Sequence, residues 1–489
     1  MMLDPYTGGD PENIRVRSAS GFEAGDYFLA NYWVWGKMIE NLADVGYTPS
    51  EMTLEPYDWR LAYPLLEERD GYFTKLKLKI EAFRRTTGKK IVLSSHSMGA
   101  LVVTYFFAWV TTSEVNGGGG GGKNWVHDNV HAFVNIAGSH LGVPKAVSAL
   151  LSGDMRDTAM LGNLGGMVEQ IFSRRLRVDL FCTWGSLWSM LPKGEETIWG
   201  VGADMCPHGR SADDPLCPVD ELSPMLVMTD SLDESQKEVL LQNSSKPGLL
   251  GDFISKQRHY TKDSIDFLRS FAGGIGSEIS GNKLHSFHGN EKPSSRTWHD
   301  PSRTPLPHAP NMKIYCMYGT GVETERAYYY KRNLDGGDPN LDTDIPLPVL
   351  LDGQVFDEER NVSYGVRFSD GDGTVPLVSL GYICVDAWQR KNSGLNPSNS
   401  EVITREYRNQ YEFSLEDPGR GGPRSSDHVD ILGNLDMLSD FLKVATGFRE
   451  SEVNPKIESR IVEIANEINN HPLGGVRERN FWKDIFSSN

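Results

Sequence analysis

Residues 91–110, IVLSSHSMGALVVTYFFAWV, constrain the fold more than any other stretch of this chain. Ile91, Val92 and Leu93 lead into a short polar break, and an almost unbroken apolar run follows Gly99. Apolar residues on every side read as a buried strand, a sharp turn and a buried helix. The turn is Ser95-His96-Ser97-Met98-Gly99. A serine at its apex stands clear of the sheet, with the first amides of a helix behind it. The usual string for a nucleophile held this way is Gly-x-Ser-x-Gly, and here Ser95 takes the first glycine position.

The neighbouring segments extend the alternation. Residues 27–45 carry a helical stripe of Trp35, Met38, Ile39 and Leu42, closed by Gly46. Residues 52–54 read as a strand and 65–86 as a helix stopped by Gly88. Further strands are expected at 131–137, 312–317 and within 401–412, and helices at 435–444 and 457–468. Strands alternating with helices predict an α/β protein with a mostly parallel sheet and helices on both faces. The serine turn at Ser97 points within that class to an α/β-hydrolase fold.

Between 145 and 311 the periodicity loosens, with helices expected at 146–151 and 161–172 and an aromatic-rich 184–191. Residues 211–218 and 291–310 are rich in Pro, Ser and His and read as loops. The stretch lies between two core strands and is expected to form a large cap over the site. The chain thus divides into a first core part (1–144), the cap (145–311), a second core part (312–447) and a tail (448–489). Six glycines at 117–122 predict a flexible surface loop rather than a phosphate cradle, since no Gly-Lys-Ser/Thr pattern follows.

Composition narrows the function. The net charge of −17 opposes nucleic acid binding and docking on anionic membrane through a basic patch. No apolar run approaches the roughly 18–20 residues of a membrane span, and MMLDPYTGGD lacks the pattern of a signal peptide. Five cysteines without a CxxC pair suit neither a disulfide scaffold nor a zinc site. Asn243 and Asn361 begin glycosylation sequons.

A serine hydroxyl needs a base to take its proton and a carboxylate to orient that base. In the α/β-hydrolase order, nucleophile, acid and base follow one another along the chain. Ser97, Asp372 and His428 satisfy that order, each on a turn after an expected strand. Asp370, in the same Ser369-Asp370-Gly371-Asp372-Gly373 turn, is the rival acid. His96 adjoins the nucleophile, but adjacent side chains on a sharp turn point apart, so it is not the expected base. One oxyanion donor is expected to be the backbone N–H of Met98.

Several segments, in order along residues 1–445, match a known family: Ile14-Arg15-Val16 with Gly21-Phe22, Tyr57-Asp58-Trp59-Arg60-Leu61, and Ser95-His96-Ser97-Met98-Gly99. They continue with Gly142-Val143-Pro144-Lys145-Ala146-Val147, Met190-Leu191-Pro192-Lys193-Gly194 and Thr197-Ile198-Trp199-Gly200. Tyr315-Cys316-Met317-Tyr318-Gly319 and Gly371-Asp372-Gly373-Thr374-Val375-Pro376 complete the set. On these residues the chain resembles the lecithin:cholesterol acyltransferase family, and within it the branch whose acceptor is diacylglycerol.

The resemblance implies Ser97 as nucleophile, Asp372 as acid and His428 as base, with Phe22 and Met98 as the two oxyanion amides. It implies a Cys316–Cys384 disulfide, with Cys206 and Cys217 as a second candidate pair. The implied reaction moves the sn-2 acyl group of a phospholipid to diacylglycerol through an acyl-serine, giving triacylglycerol and lysophospholipid, with no metal or other cofactor. The alternatives are a phospholipase A, a phospholipid:sterol acyltransferase, or an inactive lipid-binding fragment. The implied setting is a membrane surface on the lumenal side of the endoplasmic reticulum. The family also carries a membrane anchor, a first strand and a lid ahead of the segment where this sequence starts, so these are expected to be missing here.

Overall fold

Pairing between segments far apart in sequence builds the core. The computed structural model describes residues 1–4, 7–25, 33–153, 172–205, 222–242, 247–271, 295, 297–334, 347–413 and 420–472. In chain order, the strands named among them are β1 (Ile91–His96), β2 (Val130–Ile136), β3 (Leu226–Met228), β4 (Arg258–His259) and β5 (Lys313–Thr320). After these come β6 (Val322–Arg332), β7 (Val349–Leu351), β8 (Val362–Ser363), β9 (Val366–Gly371) and β10 (Glu401–Arg408). One sheet has the order β1-β2-β5-β10, with every neighbour parallel. The α/β class expected from the sequence is the class observed.

Parallel neighbours need a long crossover, and helix Gly99–Thr111 supplies it between β1 and β2. Apart from Ala108 and Thr111 the helix is buried throughout, as its all-round apolar sequence requires. Phe107 meets Phe133 of β2 edge-on at 5.6 Å, while Tyr105 and Phe106 stack on Phe73 at 5.1 and 6.1 Å. Each such ring, fully buried, contributes about 1.5–3 kcal/mol of transfer free energy.

The glycine run at 117–122 is not the flexible loop expected. Its amides close the end of the same helix: Gly119, Gly120 and Gly121 donate to the carbonyls of Trp109, Thr112 and Val110. A Cβ at Gly118 would fall 2.3 Å from the Thr112 carbonyl oxygen, and one at Gly119 would fall 2.4 Å from the Trp109 ring. Gly118, Gly119 and Gly121 permit close approach, while Gly117 (φ 78°) and Gly122 (φ 84°) supply left-handed turns.

A second sheet has the order β4-β3-β6-β9-β8, with β7 on β6. β6 follows β5 through Gly321 (φ 86°) and runs antiparallel to β9. The sequence reads as merely polar here, because the charges of β6 are used inside the protein. Buried Arg326 pairs with Asp204 at 2.6 Å, and Glu325 accepts from the Tyr328 hydroxyl at 2.8 Å. Segment 145–311 contributes β3 and β4 to this sheet, β3 lying parallel to β6.

Three element expectations change. Residues 52–54 form no strand; Leu54 instead closes over Gly25, where a Cβ would lie 2.6 Å from its Cδ2. The helix expected over 65–86 is two, Tyr63–Asp70 and Tyr72–Thr87, parted by Gly71 in a left-handed conformation (φ 61°). The helix expected over 27–45 is Gly36–Asp44, with 26–32 outside the described residues. Helix 161–172 falls outside them too, apart from Phe172, as does loop 211–218.

The irregular N-terminal segment is held by charge. Arg60 is buried and bonds Asp58 (2.7 Å) and Asp10 (2.9 Å). Arg69 also reaches Asp58 at 2.7 Å. The segment they fix leads directly into Gly21-Phe22. Among the described residues, no helix is long and apolar enough to cross a membrane.

Candidate active site

At the C-terminal end of β1 the chain turns through Ser97, whose φ of 56° is left-handed. A non-glycine residue held there is strained by about 1–3 kcal/mol. The surroundings enforce it: the Ser97 N–H donates to the Ile136 carbonyl at the end of β2 (3.0 Å), and the Ser97 carbonyl accepts from Ala100 (3.1 Å). Ser95 is buried beside Gly99, where a Cβ would stand 3.3 Å from the Ser95 Cβ. Serine in place of the first glycine is therefore tolerated because the second glycine is kept. Met98 directly precedes helix Gly99–Thr111, whose first amides have no acceptor within the helix.

His428 arrives on the turn after β10. Its Nε2 lies 2.8 Å from Ser97 Oγ, and its Nδ1 lies 2.7 Å from Asp372 Oδ2. A carboxylate can only accept, so Nδ1–H donates to Asp372, and Nε2 is left to accept the serine proton. Asp372 ends the β9 turn and is fully buried. Its Oδ1 accepts the amides of Thr374 (3.0 Å) and Val375 (2.7 Å). Gly373 (φ 88°) makes that turn possible, its N–H donating to Thr324 Oγ1 at 2.8 Å. The rival Asp370 faces elsewhere, accepting the Gly321 amide at 2.7 Å.

Phe22 lies in the short turn Gly21–Ala24, and its carbonyl accepts from Gly25 (3.1 Å). The Gly25 carbonyl accepts from Trp35 (2.8 Å), whose ring meets His96 edge-on at 6.4 Å. The loop carrying Phe22 is thereby linked to the strand that leads into Ser97. Trp35 packs against the core. His96 does not serve Ser97; its ring bonds a backbone carbonyl at 428. That partner lies 332 positions away, and no sequence signal announces it.

The family model described as "Lecithin:cholesterol acyltransferase" matches residues 1–435. The chain belongs to the lecithin:cholesterol acyltransferase family. Among relatives, it is 40% identical over 471 residues to the phospholipid:diacylglycerol acyltransferase of Schizosaccharomyces pombe, covering 96% of this chain and 68% of that protein. It is 39% identical over 452 residues to the Saccharomyces cerevisiae protein of the same name, covering 91% of this chain and 62% of that one. With phospholipid:diacylglycerol acyltransferase 1 of Arabidopsis thaliana, identity is 33% over 529 residues, covering 96% and 76%.

In this member of the lecithin:cholesterol acyltransferase family, Cys316 of β5 and Cys384 are joined in a disulfide. Buried His140 stands 3.8 Å from Cys384 Sγ, and burial together with Lys193 pushes it down to about 3. His140 and the two sulfurs lie within 4.8 Å of one another, but bonded sulfurs offer a metal no thiolate. Among the described residues Cys182 is a free, buried thiol. Cys206, Cys217 and Asn243 lie outside the described residues. Asn361 sits on a half-buried turn ahead of β8.

The family motifs at 192–200 turn out to be structural. Lys193 is buried, donates to the Ser189 carbonyl at 2.8 Å, and is lowered to about 8 by desolvation. Trp199 Nε1 donates to the Lys193 carbonyl, and the Arg326 guanidinium lies over its ring at 4.9 Å. The motif thus fastens segment 145–311 to β6.

Proposed function

We propose that the chain is a serine-dependent O-acyltransferase that takes an acyl group from the sn-2 position of a phospholipid and gives it to diacylglycerol. The observation carrying this reading is the hydrogen-bonded series Ser97–His428–Asp372 on a strained turn. It occurs in a chain 40% identical to a protein named phospholipid:diacylglycerol acyltransferase.

As Ser97 Oγ attacks the ester carbonyl, its proton passes to His428 Nε2, and Asp372 stabilises the imidazolium. The carbonyl oxygen, now negative, is received by the amides of Met98 and Phe22. Collapse breaks the ester, and the lysophospholipid oxygen leaves with the proton from His428. The hydroxyl of diacylglycerol then gives its proton to His428 and attacks the acyl-serine. Triacylglycerol departs and Ser97 recovers its proton. Ester exchange of this kind calls for no cofactor.

The fold reading that goes with this is an α/β-hydrolase core in 1–144 and 312–447, a cap in 145–311 that covers the acyl chains, and a tail in 448–489. The substrates place the enzyme at a membrane surface, and the Cys316–Cys384 disulfide suits the oxidising lumen of the endoplasmic reticulum. Asn243 and Asn361 would be glycosylated there.

The test supplies sn-2-labelled phospholipid with diacylglycerol, sterol or water as acceptor. Labelled triacylglycerol is the expected product. Sterol ester or free fatty acid alone would reassign the chain as a sterol acyltransferase or a phospholipase A. A fluorophosphonate probe should label wild type and not Ser97→Ala; no labelling of wild type would make it an inactive lipid-binding protein.

A further inference from the structure

His428 is gripped by its backbone as well as its ring. Its N–H donates to the Asp372 carbonyl at 2.8 Å, while its own carbonyl lies 2.7 Å from His96 Nε2. A carbonyl only accepts, so His96 holds its proton on Nε2 and donates it. The two imidazole centroids are 4.9 Å apart with planes tilted by 42°. Trp35 closes the other side of His96 edge-on. His96 pairs with Ile136 in the parallel ladder, so its backbone has no freedom to follow a moving loop.

We propose that His96 is a positioning residue that fixes the loop carrying His428 against the strand that leads into Ser97. The inference rests on the triad assigned above and adds the link that sets its geometry. Ser97 and His428 belong to turns 331 positions apart, and one bond, from Nε2 to Oγ, joins their reacting atoms. That bond is broken and remade in every turnover, so it cannot hold the loop in place. The His96 bond is spectator to the chemistry and persists throughout. It spans the same two segments one residue before the nucleophile.

The geometry requires His96 to stay neutral. A second imidazolium 4.9 Å from His428 would oppose proton uptake by the base. Desolvation, with the neighbouring His428, pushes His96 down to about 3. It therefore remains a neutral donor whenever His428 takes a proton.

The test compares His96→Phe, which keeps a ring against Trp35 but has no donor, with His96→Gln, which keeps a donor at similar reach. Fluorophosphonate labelling and lipid turnover are the readouts. In His96→Phe, labelling and kcat should fall about ten- to a hundredfold with little change in KM, as for a misplaced catalytic group. His96→Gln should recover most of the loss. Labelling of His96→Phe at the wild-type rate would overturn the proposal, as would equal losses in both variants.

Should His96→Phe fail to fold, the side-chain nitrogen spectrum of the wild type decides. A neutral Nε2–H tautomer down to about pH 5 is expected, well below the ordinary histidine pKa of about 6.5. An Nδ1–H tautomer, or titration near 6.5, would overturn the inference. Failure of the triad reading is separately visible, because Ser97→Ala would then label like wild type.

Discussion

Asp372 and His428 are joined twice: Nδ1 to Oδ2 at 2.7 Å through the side chains, and N–H to carbonyl at 2.8 Å through the backbone. The second contact fixes where the imidazole begins, and the first fixes where it points. Substituting Asp372→Asn keeps the backbone contact and the size of the side chain but favours the wrong tautomer. Turnover should fall by up to about ten-thousandfold without loss of fold. Asp370→Asn, which weakens an acceptor for the Gly321 amide and makes no contact with His428, should cost far less. Steady-state rates and circular dichroism check both, and the reverse order would name Asp370 as the acid.

The left-handed backbone at Ser97 separates stability from activity. Ser97→Gly relieves the strain and Ser97→Ala keeps it, so the glycine variant should be about 1 kcal/mol the more stable of two inactive proteins. Urea unfolding of the pair measures the difference directly.

Arg60 neutralises Asp10 and Asp58 out of water. Arg60→Ala leaves two buried carboxylates with fewer counter-charges and should destabilise by about 3–5 kcal/mol. The loss should be accompanied by slower fluorophosphonate labelling, because the freed segment leads into the turn that holds Phe22.

The same cluster gives stability an acid limit. Burial pulls the Asp10 carboxyl upward, but the Val16 amide and the Arg60 and Arg17 guanidiniums outweigh it and hold it at about 2. Asp58 is likewise raised by burial and lowered further by Arg60 and Arg69. Folded values below the unfolded value of about 3.9 mean that this contribution is complete above about pH 5 and is lost as pH falls toward 2. Urea midpoints should drop steeply over that window, and less steeply in Asp10→Asn.

Cys316 and Cys384 close a loop across 68 positions. Their replacement by serine should cost about 2–4 kcal/mol. In the native protein Cys182 should resist alkylation, because burial pushes its thiol up to about 12. Peptide mapping under non-reducing conditions should find 316 linked to 384 and alkyl on Cys182 only after unfolding.

What the sequence reveals follows the range of the forces involved. Strands β2 and β5 are legible because near-complete burial demands largely apolar runs, whereas β1 and β10 are only partly buried and mix polar with apolar residues. β6 is not legible, because its buried Arg326 is paired with Asp204, 122 positions away along the chain. The glycine run misleads for a related reason: composition records that glycine is permissive, not which carbonyls its amides meet. Ser97 is readable from five adjacent residues. His96 acquires its place only when a loop more than 300 positions away folds onto it.

Ser97 follows the first strand of the parallel sheet, Asp372 follows β9 of the other sheet, and His428 follows the last strand. On the proposed triad, a growing chain carries its nucleophile through most of synthesis without a base or an acid to activate it. Contacts this distant form late and slowly. Reactivity toward a serine probe then reports the completion of folding, and a molecule stalled with one sheet assembled is chemically silent toward any ester it meets.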